Sequence, residues 1–568
     1  MSCAQGYLGL AMALLLVLLP GCRGCRTPRE HREAADHEVS GLLAATRAKV
    51  PGSSAAFSIE PAPQVELARF AVQGRPPAAV PEALEALSPE ALAEADKGQG
   101  IPPVAGAIRL GLREALELAA RHSRDYQTRK EDLYLAALTL TLERFRWKPQ
   151  WTGVLTAGVT RGPDDSFVEA GSDFSVSQLL GMGGQVTASV TTDFLRFLTG
   201  DPRNSAASLF AVEVLQPLLR RSGRLVAREP LTQAERDTVY ALRTFARFRK
   251  SFCVDVTSRY YRVLQQRDAV ANQWSNYRRL GRSRRDSEEL EKRGMLEALR
   301  VAQTRQDELR AEANWVRELR RYRELLDEFK VFLGLPVEAQ VELDPAELDR
   351  LREAGLKGVR LSPEAAVELA LRQRLDLLTA YDRVADAERA VAIAENGLLP
   401  DLDLALSASV PSEPPTHFLD PEPRQGTYSA GLTLGLPLRR IEERNVYRRA
   451  LINLERARRA AKDLEEQVKL SVRDAWRTLQ EAAASYRIES DSVRLAQLRE
   501  QGERELFRIG EAIARDVLDA NEALVNAQNA VTRTLVDHTL ARLALWRDTE
   551  LLEVDEHGVW QEVPDAQP

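Results

Sequence analysis

Several kinds of residue are scarce in this 568-residue chain, and each scarcity excludes something. Aromatic residues make up only 6%, and glycine and proline are sparse over long stretches, which argues against a conventional globule. The four cysteines (Cys3, Cys22, Cys25 and Cys253) form neither a zinc spacing nor a disulfide framework. The six histidines (His31, His37, His122, His417, His538 and His557) are scattered without ligand spacing, so no metal site and no cofactor is expected. There is no P-loop, no G-x-S-x-G and no H-E-x-x-H, which leaves an enzyme without its usual signatures. Past the first twenty residues no apolar run is long enough to cross a bilayer as a helix, so any crossing must use strands. The charge of -6, from 78 basic and 84 acidic residues, is too near balance to suggest a nucleic-acid partner.

What is abundant is charge, at 29%, together with Ala, Leu, Glu and Arg, a composition of long helices. The N-terminus differs from the rest. Leu8 to Pro20 form an apolar run of signal-peptide length, followed at once by Gly21-Cys22. A small residue before a cysteine just past such a run resembles a bacterial lipobox, which makes Cys22 the expected site of lipidation. The alternative is an ordinary signal peptide with an incidental cysteine. Arg23 stands where an Asp would resemble an inner-membrane retention signal, so the outer membrane is the expected destination.

The chain is internally duplicated. Ala115-Leu116-Glu117-Leu118-Ala119 matches Ala366-Val367-Glu368-Leu369-Ala370 at an offset of 251 residues. The same offset, without a gap, pairs Asp125 with Asp376, Pro149 with Pro400 and Val159 with Val410. Each copy reads as helix, strands, long helix, helix. The first helices are expected over about Leu112 to Lys148 and Pro363 to Leu399, each closed by a proline.

After each proline the hydrophobic period changes to two. Leu402, Leu404, Leu406, Ala408 and Val410 alternate with polar or small residues, as do Tyr428, Ala430, Leu432 and Leu434. In the first copy Trp151, Leu155 and Val159 mark one strand, and Phe210, Val212 and Val214 another. These strands of about ten residues have the length of a tilted membrane strand, though a half-buried strand of a soluble sheet alternates in the same way. The first copy holds an additional hairpin, turning at Gly181 to Gly184, where the second has only a Pro-rich loop. The pattern leaves open whether residues 172–193 join the same sheet.

Long helices follow. No Gly or Pro interrupts Pro437 to Gly502, enough for a rod of about 95 Å. Ala450, Leu454, Ala457, Ala461, Leu464, Val468 and Val472 step by threes and fours along it, as a coiled-coil seam requires. A second rod is expected from Glu511 past Trp546, with first-copy counterparts over Leu231 to Leu280 and Met295 to Leu333. The basic run Arg278 to Arg285 is followed directly by Glu288 and Glu289, and reads as a solvated helix face. Strands of membrane length joined to such rods suit a protein that crosses a membrane with its strands and an aqueous compartment with its helices. One chain offers too few strands to close a pore, so several must combine.

At this point the sequence resembles the TolC family of outer-membrane efflux proteins. The most specific stretch is Ile509-Gly510-Glu511-Ala512-Ile513-Ala514-Arg515-Asp516-Val517-Leu518-Asp519-Ala520, similar to the family's helix-turn-helix tip. Arg293-Gly294 resembles the same tip in the first copy, Gln216-Pro217-Leu218-Leu219 its strand-to-helix junction, and Arg374-Leu375-Asp376-Leu377 the opening of its second repeat. The resemblance implies a mainly α fold with membrane β structure. Two tandem repeats per chain build, in a homotrimer, a long α-helical barrel with a mixed belt around it, and a twelve-stranded outer-membrane β-barrel fed by four strands per copy.

By resemblance the protein is a passive duct of a tripartite efflux or type I secretion system. Its partners would be a periplasmic adaptor, an inner-membrane RND or ABC transporter and outer-membrane lipid. The expected organisation is a signal peptide (1–21), a lipid-anchored Pro- and Ala-rich linker (22–105), repeat one (106–340), an inter-repeat linker (341–360), repeat two (361–552) and a tail (553–568). Asp516 and Asp519 would form carboxylate rings at the periplasmic gate. The simpler alternative is that acids at a helix start cap it and complement its dipole. Gly294 and Gly510 would be the tip turns that meet the adaptor. The rival to the duct is a periplasmic coiled-coil adaptor or scaffold lipoprotein, which needs no membrane strands.

Overall fold

The computed structural model describes residues 27–47, 50, 59, 95–96, 98–102, 106–161, 166–197, 204–294, 296–359, 361–413, 417–509, 511–555 and 557–561. Helix α1 (Pro28–Arg47) comes first. The first repeat then runs β1 (Ile108–Leu110), α2 (Leu112–His122), α3 (Arg124–Arg146), β2 (Gln150–Arg161), β3 (Ser166–Leu179), β4 (Gln185–Phe197), β5 (Asn204–Pro217), α4 (Arg224–Lys292) and α5 (Ala298–Leu333). Strand β6 (Val341–Leu343) and helix α6 (Ala346–Ala354) lead to the second repeat. It runs α7 (Pro363–Gln373), α8 (Leu375–Asn396), β7 (Asp401–Glu413), β8 (His417–Pro421), β9 (Thr427–Gly435), α9 (Ile441–Ile509) and α10 (Ala514–Asp548). The chain divides into two compact units. One holds α1, Asp132–Leu242 and Thr379–Lys462, and the other holds residues 106–131, Arg243–Leu378 and residues 463–561.

In the first unit a single sheet has the order β2-β3-β4-β5-β7, with β9 and the short β8 both paired to β7. Every pairing is antiparallel. The additional hairpin of the first repeat therefore belongs to this sheet as β3 and β4. It stands between the two strands that each of the other pairings would lead one to join. Six long strands result, where the resemblance implies four. Helix α1 packs in the same unit. Val39, Leu42 and Leu43 are buried, and the Tyr134 hydroxyl donates to Asp36 at 2.6 Å.

The core of the second unit is aromatic. Trp315, Tyr260 and Phe329 have almost no exposed surface and pack with Leu110, Leu116, Leu333 and Leu343. The Tyr260 hydroxyl donates to the carbonyl of Leu110 at 3.0 Å, which ties α4 to the parallel pair β1–β6. A buried phenol needs such a partner. The stretch expected as an inter-repeat linker is instead folded. Leu343 and Leu348 are buried in this core. Part of the expected N-terminal linker is folded too. The Trp315 indole donates to the carbonyl of Gly100 at 2.9 Å, and Ala95 is fully buried. Gly100 has φ +90, and a Cβ there would lie 2.5 Å from that of Trp274, so both the turn and the approach require glycine. The tail adds a bridge between Val554 and Trp560.

Helices α4 and α9 each span 69 residues, about 100 Å at the helical rise. Both exceed the sequence expectation. Helix α9 continues through Gly502 and α4 through Gly281, since a glycine within a long packed helix costs only about 1 kcal/mol. At Gly281 a Cβ would meet Glu308 Oε1 of α5 at 2.8 Å, so its absence permits that approach. Pro230 lies inside α4 rather than ahead of it, in the second turn, where it removes the hydrogen bond to the Val226 carbonyl. The seam on α9 is as expected. Leu454, Ala461, Val468, Val472 and Leu479 are buried, the last three against Ala366, Ala370, Ala541 and Leu545.

Each first helix of the two repeats proves to be two. The chain bends at Ser123 (ψ 131) and at Arg374 (ψ 118), which are equivalent under the duplication. Both residues close one helix through their N–H and open the next through their C=O. Ser123 bonds Ala119 and Gln127, and Arg374 bonds Ala370 and Leu378. The second bend is held by ions. Arg374 donates to Asp376 at 3.0 and 2.8 Å, and Arg247 reaches Asp376 at 3.3 Å and Glu550 at 3.2 Å. Lys250 completes the set on Glu550, whose side chain is almost fully buried. Burial opposes the charge on Asp376. The hydrogen bond from Arg374 and the charges of Arg247 and Arg374 outweigh it and hold the carboxyl below its ordinary value.

Asp376→Asn leaves Arg374 and Arg247 under-paired, and it is expected to cost roughly 1–3 kcal/mol at pH 7. A depressed carboxyl stabilises the fold above the unfolded value of 3.8 and loses that contribution as pH falls through the lower folded value. The gap between wild type and variant in chemical denaturation should therefore close below about pH 4. A gap of unchanged size at pH 3 would contradict this account of the bend.

Candidate functional site

The sheet has two chemically distinct faces. Its register fixes them, because alternate residues of a strand point to opposite sides. One row across all six long strands reads Trp151, Val176, Ala188, Val212, Ala408, Tyr428. The next row, on the other side, reads Thr152, Ser175, Ser189, Ala211, Ser409, Thr427. The first face stays apolar along its length through residues such as Leu155, Val159, Phe174, Phe210 and Leu432. It is also open. Trp151 is 79% exposed, Tyr428 63% and Leu432 67%. A strand of a soluble sheet would bury that face, so the half-buried alternative fails. Some of the polar groups on it bond one another. Thr192 and Ser208 share a hydrogen bond of 2.8 Å, and the Ser208 N–H donates to the Ser412 hydroxyl at 2.8 Å.

The opposite face carries the carboxylates. Glu169, Asp173, Asp193, Glu213, Asp401 and Asp403 all fall there by register. Asp401 and Asp403 are paired with Arg220 and Arg221 at 3.4 and 3.1 Å, just past the end of β5. Among the described residues no carboxylate lies on the apolar face of these six strands. An apolar outer band with a polar inner surface is the chemistry of a membrane β-wall. No described helix is long and apolar enough to cross a membrane.

The second unit holds both helix-to-helix turns, where the sequence puts them. Gly294 lies between α4 and α5 at φ +72, its N–H donating to the Glu291 carbonyl at 2.8 Å. Nothing lies near its missing Cβ, so the backbone conformation alone asks for glycine there. Gly510, Met295 and Cys22 lie outside the described residues.

The two aspartates of the second tip have different surroundings. Asp516 caps the start of α10. Its carboxylate accepts from the Ile513 N–H at 3.2 Å, and its own N–H donates to the Ile513 carbonyl at 3.0 Å. The cap that the simpler alternative expects is thus present at Asp516. Asp519, one turn on, is exposed. It lies near Asp307 of α5, whose carboxyl burial pushes up; Arg310 opposes the rise, and Glu522 and Asp519 add to it.

The sequence did not disclose what pins this tip. Arg279 of α4 donates to Asn521 at 2.8 Å, and Asn521 donates back to the Val517 carbonyl. Burial lowers the Arg279 pKa against the pull of Glu500. Leu280, Ala311 and Leu518 form a small core beside it. Residues 242 apart in sequence leave no local signal for such a contact.

Elsewhere the reactive side chains are packed. Cys253 is buried, its thiol pushed up to about 12 chiefly by burial. His538 is brought down to about 4 by burial and by Arg542. Among the described residues no three His, Cys, Asp or Glu converge as a metal site.

An apolar-faced sheet, a duplicated helical framework and a glycine turn between α4 and α5 are features expected of an outer-membrane channel subunit. Residues 366–547 match the model of the family described as outer membrane efflux protein. That match lies in the second repeat and takes in about a third of the chain. The chain is 28% identical over 200 residues to the outer membrane efflux protein BepC of Brucella suis. That match covers 35% of this chain and 43% of the relative, so less than half of BepC is spanned. Among solved structures, the CmeC outer-membrane channel of Campylobacter jejuni aligns with a TM-score of 0.57 at 13% identity. It covers 80% of this chain and 87% of that one. VceC of Vibrio cholerae aligns with a TM-score of 0.55 at 15% identity, over 77% and 95% of the two chains. At such identities the structures establish a shared fold.

The tip geometry separates the two aspartates experimentally. Asp516→Ala removes a cap and should lower stability by about 0.5–2 kcal/mol, while Asp519→Ala should leave the melting temperature unchanged. Thermal unfolding of each variant in detergent, followed by circular dichroism, checks both. Equal losses would mean that Asp519 is also structural.

Proposed function

We propose that this protein is the passive outer-membrane duct of a tripartite efflux or type I secretion system, not an enzyme. Three copies would close the sheet into a wall whose apolar face meets lipid and whose polar face lines water. The helices would continue the duct through the periplasm. The open apolar face of the sheet is the observation that carries this reading, because it has no place in water. A coiled-coil scaffold has no use for such a face.

In this reading Cys22 bears lipid and anchors the chain. The turns at Gly294 and Gly510 meet a periplasmic adaptor, which joins the duct to an inner-membrane RND or ABC transporter that supplies the energy. The tips of three copies surround the periplasmic entrance, with Asp519 facing the pore and Asp516 fixing the helix end behind it. A ring of carboxylates in a narrow entrance favours cations. The likeness of the tip sequence to the family's tip supports this assignment, as does the exposure of Asp519.

The test is single-channel conductance in a planar bilayer, wild type beside Asp519→Ala. The expected result is a cation-preferring conductance whose preference weakens in the variant. Conductance unchanged by the substitution would remove Asp519 from the gate and keep the duct. A water-soluble monomer without conductance would overturn the duct itself. Cys22→Ser should abolish incorporation of labelled palmitate, and labelling that persists would contradict the anchor.

A further inference from the structure

We propose that each copy gives six strands to the outer-membrane wall, so that three copies close an eighteen-stranded barrel rather than a twelve-stranded one. This rests on the duct reading above and specifies the width of its exit.

Four observations carry it. The β3–β4 hairpin is continuous with the rest of the sheet. Its ladders run unshifted from Gln150↔Ser177 to Arg161↔Ser166, from Phe167↔Phe197 to Leu179↔Gln185, and from Gln185↔Leu215 to Arg196↔Asn204. No alternative pairing of β2 with β5 remains, because β3 and β4 lie between them. The hairpin also shares the chemistry of its neighbours. Phe174, Val176, Ala188 and Val190 continue the apolar face, while Glu169 and Asp193 continue the polar one.

The sheet has the stagger of a closed barrel. Gln150 and Asp401 are equivalent under the duplication, each following the proline that ends a helix. Yet Gln150 is level with Ser407, through Ser177, Thr187 and Glu213, and so is displaced six residues from Asp401. Spread over the four strand-to-strand steps between β2 and β7, this gives a strand tilt of roughly 45°, within the range of closed barrels. Two of the strands that carry this stagger, β3 and β4, belong to the hairpin.

The two free edges are made for each other. Strand β9 carries no charge and no proline, and β2 only Arg161 at its last residue, so neither has the devices that protect a solvent-exposed edge. An even number of strands leaves β2 and β9 running in opposite directions. The β2 edge of one copy can therefore pair antiparallel with the β9 edge of the next, apolar face continuing apolar face. Barrel diameter grows about linearly with strand number, so the exit would be about 1.5 times as wide as a twelve-stranded one.

The test is a strand count by electron cryomicroscopy of the full-length assembly in nanodiscs, beside a variant in which residues 162–203 are replaced by Asn-Gly, joining β2 directly to β5. Eighteen wall strands in the wild type are expected. In the excised variant twelve are expected, with a polymer-exclusion limit from the outer side about one third smaller in diameter. Twelve wall strands in the wild type, with the hairpin outside the wall, would overturn the proposal and leave the duct intact. Six strands per copy in an assembly of other than three copies would overturn the count of eighteen. A wild type that forms no wall at all would overturn the proposal together with the duct. Failure of the excised variant to assemble leaves the wild-type count decisive.

Discussion

The physical constraint on which the rest depends is the separation of two chemistries across one sheet. Apolar side chains from six strands lie on one side, and six carboxylates lie on the other. Water on both sides would leave a broad apolar surface unsatisfied, and lipid on both sides would strand the charges. Only a boundary between lipid and water satisfies both faces. An open sheet at such a boundary would still expose the backbone of its edges, so closure is required as well. Everything the proposed assembly asks of further copies follows from those two unsatisfied features.

The helical part solves a different problem by ordinary means. Small and branched residues at three- and four-residue steps let α9 lie close to its neighbours, and charged residues cover the remaining surface in local pairs such as Lys469 with Glu465. The aromatic core around Tyr260, Trp315 and Phe329 joins α4 and α5 to the β1–β6 pair and to the turn at Gly100. The bends at Ser123 and Arg374 interrupt equivalent helices of the two repeats. In the second repeat buried ions hold the bend, where the first repeat uses a serine.

The duplication, the strands and the turn at Gly294 were legible in the sequence because each is written in local periodicity or in a single glycine. The order of the strands was not, since β5 meets β7 across nearly two hundred residues of chain and alternation fixes faces, not neighbours. The placement of the hairpin within the sheet was likewise invisible. The bends escaped notice because neither Ser123 nor Arg374 breaks the apolar period around it. The stretches at 95–101 and 341–354 read as linkers by composition, yet a few residues in each, such as Ala95 and Leu348, reach the core. At the tip the sequence picked out Asp516 and Asp519 together. The capping hydrogen bond of Asp516 distinguishes its surroundings from those of Asp519, and Arg279 and Asn521 could be found only from the fold.

The most direct measurement is the environment of the sheet's two faces in a bilayer. Nitroxide labels at Leu155, Val212 and Leu406 would report on one face, and labels at Thr156, Glu213 and Ser407 on the other. The account predicts that the first set is accessible to oxygen and shielded from a water-soluble nickel chelate, with the pattern reversed in the second. Equal access of the chelate to both sets would mean that the apolar face does not meet lipid, and the account of this protein as a membrane wall would be wrong.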